Sequence, residues 1–533
     1  MKGVHMSTSK LVYGVEDKPK WSKLLIFAFQ QVLAVLSATI AVPTIIGLPV
    51  QIPAAILGAG LGTLCYLLFT KFKSPVVISS SFAFLTALAN AVAFGYMGIV
   101  LGSVFAGLVY VVIAILVKFL GSGWVNKLMP PVIIGPTVAL IGLSLAGSAM
   151  SSMVSASGFK ESGALINGGY NLVAIFCGLV TFMAVVVCSV QNKFKNARLL
   201  PFIIGIGAGY LVASIFSAVG YATDNDYFKI INWNALVDNF KNFKFTSILD
   251  YPRIGLVEGI KELVNGAPSR PIIEAYISNN AKLAGLINEQ LAAMNVQLAD
   301  LSDDAVMTLI QANGFDGPQI ITGIGVAQVA LAFVPVALVT FAEHIADHKN
   351  LSSIIDRDLL EEPGLSRTLL GDGVGSIVGT IGGICPNTTY GESVGCVAIT
   401  KNASVRTILV AACMLVVLSF LTPINKLLMT IPSCVMGGVC LTLYGFIAVS
   451  GLKMFKEVDL NQSKNLFTVA AILISGIGGL AIQIPYALDG DGAVVKTIQI
   501  TSIATALLLG ILTHFVCEAI DKRNKPEADE PAE

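Results

Sequence analysis

Charge is scarce in this chain. Lys, Arg, Asp and Glu together make up 12% of its 533 residues, whereas hydrophobic residues make up 55%. Soluble domains carry roughly 25% charged residues, so the composition excludes an ordinary soluble domain. The 33 basic and 33 acidic side chains cancel, and no excess positive charge is left to bind nucleic acid. The composition therefore predicts a polytopic protein that resides in a lipid bilayer.

Metal-ligand, redox and cofactor motifs are missing as well. The nine cysteines fall in or near apolar runs and form no C-x-x-C pair, which predicts buried free thiols. No nucleophile elbow, phosphate loop or haem motif is visible, so we expect no cofactor and no catalytic residue. Residues 1–20 lack an apolar h-region, and no cleaved signal peptide is expected.

Long apolar runs are what the chain does contain. Runs of about 20 residues, the length that crosses a bilayer, recur along it. The third and tenth runs are shorter and irregular, with polar residues at their starts. Fourteen spans are predicted, at 21–43, 50–70, 77–93, 96–118, 129–150, 170–190, 199–220, 320–344, 369–385, 388–400, 405–422, 428–450, 464–484 and 497–519.

Basic residues orient the predicted spans. Lys or Arg follows every even-numbered span, as at Lys73, Arg357 and Lys401, whereas the opposite loops carry almost none. Because loops rich in Lys and Arg stay cytoplasmic, both termini are predicted to be cytoplasmic in a multi-pass protein of the cell membrane. The predicted segments are a cytoplasmic N-terminal segment at 1–20, a first transmembrane repeat at 21–220, an extracytoplasmic insertion at 221–319, a second transmembrane repeat at 320–519 and a cytoplasmic tail at 520–533.

Two pairs of similar stretches relate the halves of the chain. The third span begins with 79–84 (SSSFAF) and the tenth with 387–392 (NTTYGE), each a polar triplet and an aromatic residue before a half-length apolar run. A second pair, 126–135 and 425–437, places Asn-Lys shortly before a proline. Interrupted spans at corresponding positions of inverted halves indicate a transporter's binding site. The predicted fold is an all-α integral membrane protein with 14 transmembrane spans in a 7+7 inverted repeat, with chance similarity as the alternative.

The segment 221–319 differs in composition from the rest. It is rich in charged residues, and its later part, about 272–312, predicts two or three amphipathic helices. Ser302, before two Asp residues, is a predicted N-cap. We expect a small accessory cap outside the cytoplasm whose removal leaves the activity of the protein intact.

Two groups of ionisable residues lie in or beside the spans, at 343–348 (EHIADH) and at Glu392. Ionisable groups within a membrane are costly and mark a functional site by default. Glu343 and Asp347 are four residues apart and share one helix face. The alternatives are a tight surface turn for Glu392 and a cytoplasmic interface for the end of span 8.

An enzyme is the alternative of another class. His344-x-x-Asp347-His348 resembles the H-x-x-E-H arrangement of some zinc peptidases. A catalytic zinc needs a third protein ligand, but the other histidines, His5 and His514, lie near the termini. We therefore expect neither a metal site nor an enzyme. A channel is a third alternative, which the paired halves disfavour.

Five stretches carry a resemblance to a known family: 341–344 (FAEH), 358–365 (DLLEEPGL), 387–392 (NTTYGE), 30–34 (QQVLA) and 80–84 (SSFAF). They are similar to motifs of the uracil permeases in the nucleobase–cation symporter 2, or nucleobase–ascorbate transporter, family. The resemblance implies a core domain of spans 1–4 and 8–11 and a gate domain of spans 5–7 and 12–14. It also implies a short strand plus half-helix in spans 3 and 10, and a secondary active transporter that imports a nucleobase by proton symport.

The resemblance implies a substrate site as well. The matching ligand positions are Phe82, Glu343, Gly391 and Glu392, and Tyr390 is a second aromatic that can cover a ring. A pyrimidine dione has two N–H donors and two carbonyl acceptors, which suits carboxylates and free backbone N–H groups. Other family members have Gln at the position of Glu392, so uracil is the first substrate and xanthine or urate the second. The residues expected to support the site are Ser81, Asn387, Thr388 and Thr389.

Two positions depart from the family pattern. The residue four after Glu343 is commonly His in the uracil permeases, but here it is Asp347, and His348 follows it. The residue after the second acid is commonly Asn, and here it is Ser393. We expect Glu343 and Asp347 to share the coupling proton, with His348 or a bound sodium ion as alternatives. The sequence leaves the oligomeric state open, and a homodimer is the assembly considered.

Overall fold

A computed structural model describes residues 11–154, 171–191, 201–233, 236–237, 241, 244, 247–294, 296–488 and 494–524. Nine helices within these ranges are long and apolar enough to cross a membrane. Two shorter apolar helices, Val405–Ser419 and Ser463–Ile477, accompany them.

The described helices and strands follow one another in this order: α1 Trp21–Ile45, α2 Ile52–Phe69, β1 Ile78–Ser80, α3 Leu85–Ala91, α4 Gly95–Leu120, α5 Gly123–Leu128, α6 Pro131–Ser144, α7 Ala146–Val154, α8 Leu172–Val190, α9 Pro201–Ala222, α10 Gly255–Asn265, α11 Arg270–Ser278, α12 Ala281–Met294, α13 Asp303–Ala312, α14 Gly323–Ile355, α15 Leu365–Gly382, β2 Asn387–Thr389, α16 Gly391–Thr400, α17 Val405–Ser419, α18 Thr422–Met429, α19 Ser433–Lys453, α20 Ser463–Ile477, β3 Ile482–Leu488, β4 Val494–Ile500 and α21 Ser502–Asn524.

The membrane helices pack in two groups. Helices α1, α2, α4, α14, α15 and α17 surround β1 and β2, and with α3 and α16 we call them the strand group. Helices α6 to α9 and α19 to α21 pack mainly among themselves and form the second group. The groups meet where α14 contacts α6 and α21, and where α1 contacts α9 and α19.

Glycines let the helices of the strand group approach closely. A Cβ on Gly58 of α2 would lie 2.3 Å from the carbonyl oxygen of Gly379 on α15. A Cβ on Gly107 of α4 would lie 2.7 Å from the carbonyl oxygen of Gly373. Membrane helices associate through such small-residue contacts because lipid supplies no hydrophobic drive between them. Backbone contact therefore holds the centre of this group together.

Spans 3 and 10 are broken in the middle. Span 3 consists of β1, a 3-10 turn at Phe82–Phe84 and α3, whereas span 10 consists of β2 and α16. The strands pair antiparallel, with Ile78 opposite Thr389 and Ser80 opposite Asn387. A break at membrane depth frees backbone N–H and C=O groups that lipid cannot bond. Each strand supplies the partners that the other one needs.

The second pair of repeated stretches also has the same local structure in both halves. In the first half the short helix α5 precedes Pro130 and the long helix α6. In the second half the short helix α18 precedes Pro432 and the long helix α19. This agreement supports related halves, while the fourteen-span inverted repeat stays a prediction.

The boundaries predicted for the last two spans are wrong. Span 13 is predicted at 464–484, but α20 ends at Ile477, and β3 and β4 form an antiparallel hairpin across the predicted start of span 14. Gly479 follows α20 with a φ of +75°, which glycine adopts without strain. Apolar β-branched residues lengthen an apolar run whether they lie in a helix or in a strand. The all-α prediction is corrected by this hairpin.

Among its described residues the predicted insertion contains the helices α10 to α13. Three of them, α11 to α13, match the two or three amphipathic helices expected there and enclose a small core of their own around Ile273, Ile287 and Ile310. Ser302 caps α13 as predicted, since its Oγ accepts a hydrogen bond from Ala305 N at 3.3 Å.

Glu262 on α10 anchors the insertion to α4. Its carboxylate is buried, and Oε2 accepts a hydrogen bond from Tyr96 N at 2.8 Å. Oε1 accepts from the N–H of Ser269 at 2.9 Å and from its hydroxyl at 2.7 Å. Gly95 makes room for this contact, because a Cβ there would lie 2.4 Å from Oε2. Burial raises the pKa of Glu262, although these hydrogen bonds oppose the rise.

Further hydrogen bonds fix the insertion to one end of the strand group, which we call the insertion end. They join the ends of α1, α3 and α15 to the insertion. The bonds are Asn279 Nδ2 to Ile46 O at 2.9 Å, Gln319 N to Ala93 O at 2.8 Å, and Gly255 N to Gly383 O at 2.8 Å.

We expect Glu262→Ala to loosen the insertion from α4. The change leaves the buried N–H of Tyr96 without an acceptor, which costs about 1–3 kcal/mol. Limited proteolysis of the purified protein should then cut the insertion faster, and the unfolding temperature should fall. Glu289→Ala, at an exposed position of α12, is the control and should change neither. Equal cleavage of Glu262→Ala and the wild type would contradict the anchoring role.

Candidate functional site

The acidic cluster of α14 lies inside the bundle. Helix α14 continues to Ile355, well beyond the predicted end of span 8 at residue 344. His344 is 0% exposed, His348 is 1% exposed and Asp347 is 7% exposed. Other helices therefore cover these side chains, whatever their depth in the membrane.

Glu343 and Glu392 offer free carboxylate oxygens beside the break in span 10. Both side chains are partly exposed, but Glu343 Oε2 and Glu392 Oε1 are individually buried without a hydrogen-bond partner among the described residues. Gly391 is exposed and begins α16, where the first N–H groups of a helix have no acceptor within it. Two acceptors and a backbone donor are therefore available at the break.

Asp347 lies behind Gly391. Its Oδ1 is 3.5 Å from the position that a Cβ on Gly391 would take. Its charge interacts with those of Glu343 and Glu392, and Asp347 is the most shielded of the three. Carboxylates that interact this closely bind protons as a set, so a proton on Asp347 affects both others.

The two histidines belong to a separate buried network. His344 Nδ1 lies 2.7 Å from Asp372 Oδ2, and its Nε2 lies 3.1 Å from Thr368 Oγ1. His348 Nε2 lies 2.9 Å from Tyr66 OH, and its Nδ1 lies 2.8 Å from the carbonyl oxygen of His344. All four ring nitrogens are engaged, and the described residues contain no group of three metal ligands. The zinc peptidase alternative is therefore unsupported.

Two aromatic side chains border the break. Phe82 is 4% exposed, and its ring meets Tyr444 of α19 edge-on, with centroids 5.2 Å apart. This contact lies where the strand group meets the second group. Tyr390 caps the start of α16, and its hydroxyl lies 3.1 Å from Ser37 Oγ of α1. Phe82 therefore forms an aromatic wall, whereas Tyr390 also ties α16 to α1.

The predicted supporting residues hold the strands in place. Asn387 Nδ2 donates to Gly58 O at 2.8 Å, which ties β2 to α2. Ser81 N donates to Pro386 O at 3.1 Å, and Thr388 lies opposite Ser79 in the strand pair. Thr389 N lies 3.4 Å from Asp372 Oδ2, so β2 also meets the histidine network. The predicted supporting residues thus lie on or beside the paired strands, whereas the side chains of Asn387 and His348 bond to α2.

Ser393, which departs from the family pattern, joins both broken spans to α1. Its hydroxyl donates to Gln31 Oε1 at 2.9 Å and accepts from Val77 N at 3.1 Å. Gln31 Nε2 also approaches Ser393 O, at 3.4 Å. In the described structure this position supports the site and does not reach the break itself.

Three residues of the buried network, Asp372, Tyr66 and Thr368, are missed by the sequence interpretation. Asp372 carried a usable signal, because it is an acidic residue within the predicted span 9 and such groups mark functional sites by default. Tyr66 and Thr368 carried none, since polar residues of this kind are common in membrane helices and their partners lie far away in sequence.

Membrane-length helices with two broken spans and internal carboxylates define a membrane transport protein. The chain matches the model of the Permease family over residues 22–254 and 275–484. It is 32% identical over 516 residues to the uracil permease of Bacillus caldolyticus, covering 95% of each chain. It is 30% identical over 514 residues to that of Bacillus subtilis (strain 168), covering 96% of each. This chain belongs to the permease family nucleobase–cation symporter 2 and is not an enzyme.

A solved structure shares the fold. The murine solute carrier 26 family member A9 anion transporter, in its inward-facing state, aligns with a TM-score of 0.53 and 11% sequence identity. The alignment covers 95% of this chain and 69% of that one. The family match also extends through most of 221–319 and leaves only 255–274 unmatched within that segment.

We expect Gly379→Ala to displace β2. The added Cβ would lie 2.1 Å from Asn387 Nδ2 and 2.8 Å from Gly58 O, and overpacking of this kind costs about 1–3 kcal/mol. The unfolding temperature of the purified protein should fall, and substrate uptake should drop. Gly395→Ala is the matched control, because nothing lies within 4 Å of its added Cβ. A wild-type unfolding temperature and uptake for Gly379→Ala would refute the close packing.

Proposed function

We propose that this protein imports a nucleobase, uracil first, by proton symport with alternating access. The observation that carries the proposal is the pair of free carboxylate oxygens, Glu343 Oε2 and Glu392 Oε1, beside the start of α16 at Gly391. The names of the relatives, uracil permeases over 95–96% of this chain, support the same substrate.

The chemistry of the break suits a neutral pyrimidine dione. Its two ring N–H groups can donate to the two carboxylates, and one of its carbonyls can accept from the backbone N–H of Gly391. Phe82 supplies an aromatic surface for the planar ring. Buried acceptors left unpaired are costly, so the site selects a ligand with two donors in the right places. Xanthine or urate is the second substrate class, which Glu392 disfavours because other family members have Gln there.

The proposal includes a topology. We assign the strand group to the core domain and the second group to the gate domain, in fourteen spans arranged as a 7+7 inverted repeat. The insertion end faces outward, and both termini are cytoplasmic in the cell membrane. Basic residues at the opposite end of the strand group, among them Lys73, Arg357 and Lys401, support this orientation. The proposal leaves the oligomeric state open, with a homodimer as the assembly considered.

Coupling is assigned to Glu343 and Asp347, which share one proton. Asp347 is shielded by Gly391, whereas Glu343 reaches the break, so a proton on the pair links the substrate site to the interior of α14. With that proton bound, the pair carries less charge and the site accepts a neutral substrate. Release of the proton to the cytoplasm restores the repulsion among the carboxylates and weakens substrate binding.

Uptake measurements test the transport function. Cells that lack their own nucleobase carriers and express this protein should accumulate labelled uracil more than xanthine or urate. An uncoupler should abolish accumulation but leave exchange. A preference for xanthine or urate would make these purines the substrate class. The absence of uptake for all three compounds would refute nucleobase import.

We expect Glu392→Gln to weaken uracil binding while the protein still folds. The amide replaces a negatively charged acceptor opposite a buried N–H with a neutral one, which costs about 1–3 kcal/mol, or roughly five- to 150-fold in affinity. Binding of labelled uracil to the purified protein measures the effect. Glu361→Gln, at an exposed position between α14 and α15, is the control. Unchanged affinity in Glu392→Gln would remove this residue from the site.

Asp347→Asn and His348→Ala separate the two coupling assignments. We expect Asp347→Asn to lose proton-driven accumulation while exchange across the membrane survives, because the shared proton no longer moves. His348→Ala should remain near wild type in coupling, since its ring bonds to Tyr66 of α2. Uptake is measured against pH, with and without sodium. Uncoupling by His348→Ala alone would move the coupling role from Asp347 to His348. A requirement for sodium would make sodium, and not the proton, the coupling ion.

A further inference from the structure

A second cavity opens at the insertion end, away from the break in the spans. Its volume is about 300 Å³. Four parts of the chain line it: the end of α3, the first turns of α14, the insertion helix α11 with its C-terminal turn, and strand β4. The polar side chains that line it are Asn90, Tyr276, Asn279, Asn280, Gln328 and Gln499.

The lining is polar but uncharged. Amide side chains and Tyr276 share it with apolar residues, mostly alanines, and neither a carboxylate nor a cation is among its lining residues. Asn90, Gln328 and Gln499 have side chains without a hydrogen-bond partner in the described ranges, so their amides can each donate and accept. Ala332 and Val329 supply an apolar wall beside them. Such a lining suits a small, flat, neutral molecule with alternating donors and acceptors, whereas an anion would find no countercharge.

Two elements connect this cavity to the substrate site. Helix α3 begins just after Phe82 and ends in the cavity wall, and α14 carries Ala332 in the wall and Glu343 at the site. Eleven residues of helix separate Ala332 from Glu343, or about 16 Å at 1.5 Å per residue. Between them, Phe84 and Phe333 stack with ring centroids 5.6 Å apart, and both are buried. The pair also packs against α4, since a Cβ on Gly102 would lie 2.5 Å from the Phe333 ring, and it belongs to the packing of the strand group.

We infer that this cavity is an outer vestibule in which a neutral nucleobase binds before it reaches the substrate site. The inference rests on the proposed function and adds a second, weaker binding site for the same substrate class. It gives the insertion a role, since Tyr276, Asn279 and Asn280 form one wall. Removal of residues 258–316 would take away this wall together with the Glu262 anchor. The inference therefore opposes the expectation that the insertion is dispensable, and point substitutions test it without disturbing the anchor.

The test is the double variant Asn90→Leu, Gln328→Met. Both changes keep the side-chain size and remove amides that have no partner, so folding should be unaffected. We expect the KM for uracil uptake at the outer face to rise at least threefold, while the affinity of the purified protein for uracil at its tighter site stays at the wild-type value. Gln311→Met, at an exposed position of α13 outside the cavity, is the control and should leave both values unchanged.

A second measurement isolates the vestibule. Purified wild-type protein should bind labelled uracil in two saturable classes, a tight one at the main site and a weaker one in the vestibule. Asn90→Leu with Gln328→Met should remove the weaker class alone, whereas Glu392→Gln should weaken the tight class alone. An unchanged uptake KM in the double variant, or a weaker class that the double variant retains, would overturn the vestibule while nucleobase import stands. Failure of the wild type to take up any nucleobase would overturn both.

Discussion

The rest of this structure depends on one constraint, that backbone groups freed by a break inside a bilayer must find partners within the protein. Two breaks meet this requirement jointly, because β1 and β2 bond to each other. Asn387 and Ser393 then tie the strands to neighbouring helices, and Ser81 N extends the strand pair by bonding to Pro386 O. The first N–H groups of α16 have no acceptor within the helix, and the free oxygens of Glu343 and Glu392 lie beside them. The proposed substrate site is thus a part of the break that the protein leaves unsatisfied.

The sequence predicted the parts of the site that are local. A polar triplet, an aromatic residue and a half-length run marked both breaks, and the structure has a strand and a short helix at each. The spacing of Glu343 and Asp347 placed them on one face, and Ser302 was recognisable as a cap from its neighbours alone. These features depend on a few consecutive residues, whose geometry is fixed by helix period and turn chemistry.

What the sequence did not predict depends on partners far along the chain. Tyr66 and His348 are 282 residues apart, and the tie between Tyr96 and Glu262 spans 166. Nothing near either residue indicates its partner. The prediction missed the hairpin of β3 and β4 for another reason, since the apolar residues of these strands fit a membrane helix equally well by composition. The pairing between the two strands is what distinguishes a hairpin from a helix here, and this pairing is seen only in the folded chain.

The anchoring of the insertion has a practical consequence. Helix α10, the turn after α11 and Gln319 bond to the ends of α1, α3, α4 and α15, all in the strand group. Residues 227–231 bond instead to α8 and α9 of the second group, so it is the part from α10 to α13 that would move with the strand group. A fluorophore or spin label on an exposed residue such as Glu289, read against one on the second group, would report the motion of one group past the other. An antibody fragment bound to α12 would add mass for electron microscopy without touching the break in the spans.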